Sequence, residues 1–494
     1  MPAPPLPPLS AASLPLYATR MAAPTYDRSA LVPSVVHIGV GGFHRAHQAL
    51  YFDDLAARGE TGWGVLGVGL RKPPMGEVLG AQDGLFTVVE RGPAGDRTRV
   101  VGALVDYLFA RDDSEAVLAR LADPQTRLVT LTITGNGYLV DAECRFEAEH
   151  DDVQHDLTSP ATLRTMVGLL SEALGRRRAS GAGPFTVLSC DNLPDSGAAA
   201  RTSLVSYARL RDPALAEWIE ARVTFPSSMV DRITPETSPA LRDELERRSG
   251  AADRWPVVTE PFRQWIVEDD FCAGRPPLDL VGVQFVRDVA PYKVVKARVL
   301  NGGHCALGHL GTLAGHRTTD EAMGDPLIGP FLERLLRQEV LPLLPHAPGL
   351  DPDAYTTTTL ERFANPAIGD ALTRLCRRGS TKMPSYLLPS LHDALATGRP
   401  HAHLVVAVAA WLVYLRGRDL TGAEIPIEDA RLESLQALLR RGREDLRPVL
   451  GMRSVFGCLA DRPDVVAELA AAVQTLTDDG LAAALAPAPL AAAA

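Results

Sequence analysis

The chain has 494 residues, too long for one ordinary domain and suited to about three domains, or two large ones. Apolar residues make up 46% and charged residues 22%, a globular balance that excludes disorder as the main state. Six cysteines with no CxxC spacing exclude a small disulfide scaffold, and a formal net charge of -10 argues against nucleic acid as a partner.

The first 30 residues are rich in Pro, Ala and Ser and read as an extended N-terminal arm rather than core. They lack a basic stretch before their apolar part and are broken by prolines, so they do not read as a secretory signal. The expectation is a cytoplasmic protein with reduced thiols. Short β-rich runs then alternate with helical stretches. The runs are Val35–Val40, Val65–Leu70, Leu128–Thr134 and Phe185–Cys190; the helical stretches include Ala46–Arg58, Ser114–Ala122 and Pro160–Ser180. This alternation implies βαβ units and a parallel sheet.

The first run leads into Gly39-Val40-Gly41-Gly42-Phe43-His44-Arg45, with a helix expected from about Ala46. A strand, a glycine turn and a helix start form the geometry that receives a pyrophosphate. Gly39 and Gly41 fit the first two glycines of GxGxxG, but His44 stands at the third, so a tight turn without a ligand is the alternative. The second run ends in Leu70-Arg71-Lys72-Pro73-Pro74, where a ribose-binding carboxylate is usual. Two cations there suit a 2′-phosphate, or a plain solvated loop. The fourth run is followed by Asp191-Asn192, at the strand end where open α/β sheets bind ligands; an Asx-turn or helix cap is the commoner use of such a pair.

After about residue 290 the strand signal fades and long helical stretches take over. The fold class is therefore α/β, with a strand-and-helix half over residues 1–286 followed by a mostly α-helical half over residues 287–494. Pro291 opens a stretch that reads Lys293, Lys296, Asn301 and His304. On a helix of about 100° per residue, Lys296, Asn301 and His304 fall within an arc of about 140°. An amine, an amide and an imidazole on one face suit proton transfer at an alcohol or carbonyl. A basic helix face with a buried histidine is the alternative. Leu404–Leu415 is about 12 residues long where a membrane span needs about 20, so it reads as a buried helix and no membrane partner is expected.

In combination, Gly39–Gln48, Ser189–Pro194 and Lys296 with Asn301 and His304 resemble the polyol-specific long-chain dehydrogenase family. Phe225–Pro235, Glu260–Trp265, Gly282–Phe285 and Arg362–Pro366 are also similar, so the resemblance runs from about Tyr26 to about Gly480. It implies a Rossmann-type cofactor-binding domain over residues 1–286, a catalytic and substrate domain over residues 287–494, and a metal-independent, NAD-dependent, reversible oxidation of a secondary alcohol on an acyclic polyol to a ketose. Mannitol to fructose is the first expectation; arabinitol, sorbitol, fructuronate or tagaturonate are alternatives within the family. An inactive nucleotide-binding sensor or an interaction scaffold is the remote one. Carried over, Lys296 is the general base, Asn192 and Asn301 hold the reacting oxygen, His304 orients it, and Arg374 and Lys382 contact substrate hydroxyls. Gly39, Gly41, Gly42, Phe43, His44, Arg45 and Arg71 are the cofactor-binding candidates, for NAD with NADP possible. His44 and His47 form an HxxH inside the cofactor turn, so no metal site is expected. A monomer or weak homo-oligomer is expected.

Three departures from the family stand out. Gly135 replaces a glutamate that gates proton exit, Lys293 replaces a glutamate in the Pro-Tyr-Glu run, and acidic residues near Pro73-Pro74 are missing. Lys293 and Lys296, three apart on a helix, are neighbours whose repulsion favours a neutral Lys296. Lys293 is thus expected to take over part of the tuning, with protons leaving through water near Gly135.

Overall fold

The computed structural model describes residues 6–71, 74–141, 143–442 and 445–486. Lys72 and Pro73, the first five residues of the arm and the tail beyond residue 486 lie outside them. The chain divides into two compact units, one ending at Ala290 and the next starting at Pro291.

The first unit carries β1 (Val35–Ile38), β2 (Val65–Gly69), β3 (Phe86–Gly92), β4 (Gly95–Val101), β5 (Leu104–Phe109) and β6 (Leu128–Leu131). Further along come β7 (Thr186–Ser189), β8 (Ser228–Asp231), β9 (Val257–Thr259), β10 (Gln264–Glu268) and β11 (Gln284–Val286). The main sheet has the order β5-β2-β1-β6-β7, and every neighbouring pair is parallel. This is a doubly wound sheet whose order reverses between β1 and β6, which opens a crevice at the carboxyl ends of those strands. Two smaller three-stranded sheets, β4-β3-β9 and β11-β10-β8, complete the unit.

The strand sequences explain their position. Every residue of β1, β6 and β7 is buried, as expected for parallel strands covered on both faces. Along β1, Val36 and Ile38 enter the core under Met166–Ser180 and Ser196–Arg211, while Val35 enters the core on the opposite face with Leu50, Leu55 and Trp265. Each such side chain contributes about 1.5–3 kcal/mol relative to exposure.

Three elements depart from expectation. The helix expected from Ala46 begins at Gly42 and is split into Gly42–Ala46 and Gln48–Ala57 by His47, at φ -127° and ψ -85°. The break is held because Arg232 Nη1 donates to the Ala46 carbonyl at 2.6 Å and His47 Nε2 meets the Gln264 carbonyl at 2.9 Å. The helix expected from Pro160 starts at Met166. Asp156 accepts from the Arg164 and Thr165 N–H groups, and the Thr165 hydroxyl caps Gly168 N–H at 3.0 Å, so those residues cannot join the helix. The arm is not merely extended. It forms a short helix, Leu14–Tyr17, and buries Leu6, Leu9 and Tyr17 against Leu85, Val100 and Ala251.

The second unit contains helices and, among the described residues, no strand beyond isolated bridges. The apolar run forms Ala402–Tyr414, which is hydrophobic all round and packs against Gly302–Leu313 and Pro463–Gln474. No helix of the described residues is long and apolar enough to cross a membrane.

One contact in the first unit replaces what a third glycine does elsewhere. The His44 ring lies flat on the ring of His37 in β1, centroids 3.4 Å apart and 15° from parallel. His37 bridges Thr130 Oγ1 at 2.8 Å and Thr132 Oγ1 at 2.9 Å. Burial pushes His37 down to about 3, and burial with the neighbouring His37, Arg45 and His47 charges holds His44 well below its ordinary value. Both rings are therefore neutral in the fold, whereas in the unfolded chain they take up protons below about pH 6.5. The stability from these rings is full above that pH and is lost as pH falls below it, for His37 by about 2 kcal/mol at pH 5 and continuing toward pH 3. Calorimetry should show Tm falling from pH 7 to pH 5, with a shallower fall in His44→Phe, which keeps a ring but cannot titrate.

Candidate active site

The glycine turn leaves β1 at Gly39, whose φ is +100°. A Cβ there would lie 2.2 Å from the Thr132 carbonyl oxygen, so β1 and the segment after β6 approach as closely as only glycine allows. At Gly42 the opposite holds: a Cβ would meet nothing within 4 Å, and the residue is exposed. Gly41 and Phe43 beside it are half-buried. A tight Gly39 followed by open backbone at the head of Gly42–Ala46 fits a dinucleotide pyrophosphate. His44 and Arg45 differ from the expected direct contacts because both are buried. The Arg45 guanidinium lies over Phe86 and donates to the Trp255 and Gly41 carbonyls, so it braces the turn from behind. His44 does so through the His37 stack. His47 Nε2 meets the Gln264 carbonyl. Arg71 is exposed at the end of β2.

Asp191, just past β7, organises the neighbouring strand end. Its carboxylate accepts from the Ile133 and Thr134 N–H groups, both at 2.9 Å, and from the Tyr138 hydroxyl at 2.8 Å. Burial pushes this carboxyl up. The bond to Thr134 N–H holds a β-branched residue at φ +65° and ψ 164°, a region that glycine alone visits cheaply. Asn192 follows, exposed beyond the strand end. Gly135 lies beside the same loop, where a Cβ would be 3.4 Å from Leu193.

In the second unit, Pro291 sits in the first turn of Ala290–Lys296, and Lys296 is buried. Lys293, half-buried, lies one turn earlier. The helix then changes to a π turn over Ala297–Asn301, closed by Gly302 N–H donating to the Ala297 carbonyl, before Gly302–Leu313 resumes the α form. An i→i+5 turn brings residues five apart onto one face, so Lys296 and Asn301 align more closely than the expected arc of about 140°. His304 follows and stacks on Phe363, centroids 4.3 Å apart. Asn301 Nδ2 is buried with no hydrogen-bond partner among the described residues.

A second π turn, Met383–Leu387, begins directly after Lys382 and packs on the first. A Cβ on Gly302 would lie 3.0 Å from the Tyr386 carbonyl oxygen. The two turns thereby bring Lys382 to the Lys296 helix. Lys382 Nζ donates to the Leu375 carbonyl at 2.8 Å and the Arg374 carbonyl at 3.2 Å, and burial lowers its pKa. Arg374 is gripped by the buried Asp370, with Nε to Oδ1 at 2.6 Å and Nη2 to Oδ2. The five residues Lys296, Asn301, His304, Arg374 and Lys382 thus gather in one unit, 86 residues apart in sequence at the extremes (296 to 382).

Sequence reasoning missed Asp191, Asp370 and the His37–His44 stack. Asp370 stands four residues before Arg374, a spacing that pairs on a helix, but the helix starts only at Leu372. Nothing local distinguishes Asp191 from a capping aspartate.

Comparison with known proteins agrees with this architecture. The mannitol dehydrogenase Rossmann domain matches residues 33–280, and the mannitol dehydrogenase C-terminal domain matches residues 288–477. A mannitol 2-dehydrogenase of Cereibacter sphaeroides is 45% identical over 94% of this chain and 97% of its own, and one of Emericella nidulans is 44% identical over 93% of each. Among solved structures, the Pseudomonas fluorescens mannitol 2-dehydrogenase ternary complex with NAD and D-mannitol superposes with a TM-score of 0.86 at 41% identity, covering 97% of this chain and 99% of that one. A substrate-free D-sorbitol dehydrogenase gives 0.90 at 35% identity, covering 97% and 100%.

The two glycines of the turn should separate fold from ligand. Gly39→Ala forces Cβ against the Thr132 carbonyl and should lower Tm by several degrees, since about 1–3 kcal/mol is at stake. Gly42→Ala should leave Tm within a degree or two and weaken dinucleotide binding at least about tenfold, read by NADH fluorescence titration.

Proposed function

The chain belongs to the mannitol dehydrogenase family and is an NAD-dependent polyol dehydrogenase; we propose that it interconverts D-mannitol and D-fructose with Lys296 as general base. When bound, NAD supplies the hydride acceptor. The backbone of Gly39, Gly41, Gly42 and Phe43 would cradle its pyrophosphate, with Arg71 near the adenosine ribose, where a 2′-phosphate is tolerated. Neutral Lys296 takes the hydroxyl proton. The Asn301 amide donates to the oxygen as negative charge develops on it, and Asn192 supplies a second amide. His304, braced by Phe363, orients the oxygen. Arg374 and Lys382 hold hydroxyls further along the chain of the sugar. In the reverse direction protonated Lys296 returns the proton to the ketose oxygen.

The observation that carries this reading is Asn301 Nδ2, a buried donor without a partner among the described residues, on the face that carries Lys296. A buried donor left unpaired costs about 1–3 kcal/mol, a cost recovered when a substrate oxygen accepts from it. D-Sorbitol is the second candidate substrate, supported by the similarity to a D-sorbitol dehydrogenase.

A panel of polyols, ketoses and hexuronates with NAD and NADP, followed at the nicotinamide absorbance, tests the assignment. The highest kcat/KM should fall on mannitol and fructose with NAD, with NADP accepted measurably. A hexuronate outpacing every neutral substrate would overturn the polyol reading, and an NAD preference on the order of several thousand-fold would remove Arg71 from the account. Lys296→Ala should lower kcat by about 10²-fold or more with NADH binding unchanged. Near wild-type turnover in that variant rejects Lys296 as base.

A further inference from the structure

The Arg374 pair with Asp370 bears on which sugars the enzyme accepts. Arg374 is half-exposed, but the carboxylate that holds it is almost fully buried, 2% exposed. Both Asp370 oxygens are spent on it: Oδ1 accepts from Nε at 2.6 Å and Oδ2 from Nη2. The side-on edge of the guanidinium, which takes a carboxylate bidentately, is therefore already filled from within the protein. What Arg374 can still offer a ligand is its end-on edge, two Nη1 hydrogens and one Nη2 hydrogen, on a group whose charge Asp370 already balances. Lys382 is limited in the same way, because two of its three ammonium hydrogens go to the Arg374 and Leu375 carbonyls.

Charge follows the same logic. Arg374, Lys382 and Arg378 are the cations of this corner; Arg374 and Arg378 both depress Lys382 electrostatically. Asp370 is the acid paired with Arg374. With it, Arg374 contributes a donor but no net charge. Without it, the corner would carry three positive charges and attract anions.

We infer that Asp370 is a specificity-determining residue: by neutralising Arg374 and filling its side-on edge, it makes the pocket favour neutral hydroxyls over sugars that carry a terminal carboxylate. This rests on the placement of Arg374 at the substrate proposed above. Asp370 touches no substrate itself and acts through Arg374. A carboxylate-bearing substrate meets at Arg374 a cation already balanced by Asp370, so it gains less there than at a free cation, and pulling the guanidinium away would leave a buried carboxylate unpaired.

The test compares fructose with a ketohexuronate (fructuronate or tagaturonate) as substrates for NADH oxidation by wild type and Asp370→Asn. Wild type should favour fructose in kcat/KM by about 10²-fold or more. In Asp370→Asn that ratio should narrow at least tenfold, mainly through a lower KM for the hexuronate, with NADH affinity unchanged. A merely structural role would instead lower kcat for both substrates together and leave the ratio alone. An unchanged ratio in an active Asp370→Asn overturns the role of Asp370 and leaves the polyol reading intact; a wild-type preference for the hexuronate overturns both. A measurement on the unaltered enzyme covers failure of the variant to fold. A six-carbon aldonate should inhibit mannitol oxidation at least tenfold more weakly than a neutral hexitol does, and tighter inhibition by the aldonate overturns the proposal.

Discussion

The chemistry of the second unit hangs on a backbone hydrogen bond that skips one residue further than an α-helix allows. Gly302 N–H reaches the Ala297 carbonyl, and this π turn decides where three side chains point. In an unbroken α-helix, Lys296 and Asn301 would diverge. With the extra residue in the turn they stand together, and the α-helix that resumes at Gly302 sets His304 one turn on. The second π turn, Met383–Leu387, packs on the first because glycine at 302 leaves room for the Tyr386 carbonyl. A backbone form that is rare in helices thus stands beside each of the two proposed substrate-handling lysines, while two further π turns, Leu335–Val340 and Thr475–Asp479, lie elsewhere in the unit.

The first unit meets its own constraint differently. A dinucleotide turn must bring a helix close to the first strand while leaving backbone open toward the ligand. Here the closeness is at Gly39, which no other residue could replace without striking Thr132, and the spacing behind the turn is set by two neutral histidines stacked face to face. Arg45 and Arg232 complete the support by donating to the backbone carbonyls of Trp255, Gly41, Ala46 and Glu260. Buried cations that donate to backbone carbonyls in this way hold loop backbone that no ladder can satisfy, and Arg232 is balanced by Glu90. Asp191 does the same with acceptor chemistry at the next strand end, where it keeps Thr134 in a backbone region a β-branched residue otherwise avoids.

Legibility from sequence varied with the range of the forces involved. β1, β2, β6 and β7 were readable because their buried runs are continuous and rich in β-branched residues, and Leu404–Leu415 was readable as a core helix because it is too short for a membrane. The sequence pattern misplaces the helix starts at Gly42 and Met166, since the break after Ala46 is held by the remote Arg232 and the stretch before Met166 is held out of the helix by Asp156. The arm was read as surface, yet Leu9 and Tyr17 are buried, because their partners Leu85, Val100 and Ala251 are remote in sequence. His44 and Arg45 were read as cofactor contacts from their place in the motif, whereas burial turns both inward.

The sequence alone determined the alternation of strands and helices, the change to a helical second half, and which side chains are candidates for the chemistry, all of which depend on composition and short-range periodicity. The family motifs added their proposed roles. Only the tertiary structure decided which of these groups stand together and what charge they present. Lys296 and Asn301 align through a π turn that no residue pattern announces, and Lys382 reaches them through helix packing. Arg374 looks like a free cation in the sequence and is paired with a buried aspartate in the fold. The reason is physical: local propensity acts over a few residues, while burial, desolvation and pairing of charges are properties of neighbours that the chain brings together only when it packs.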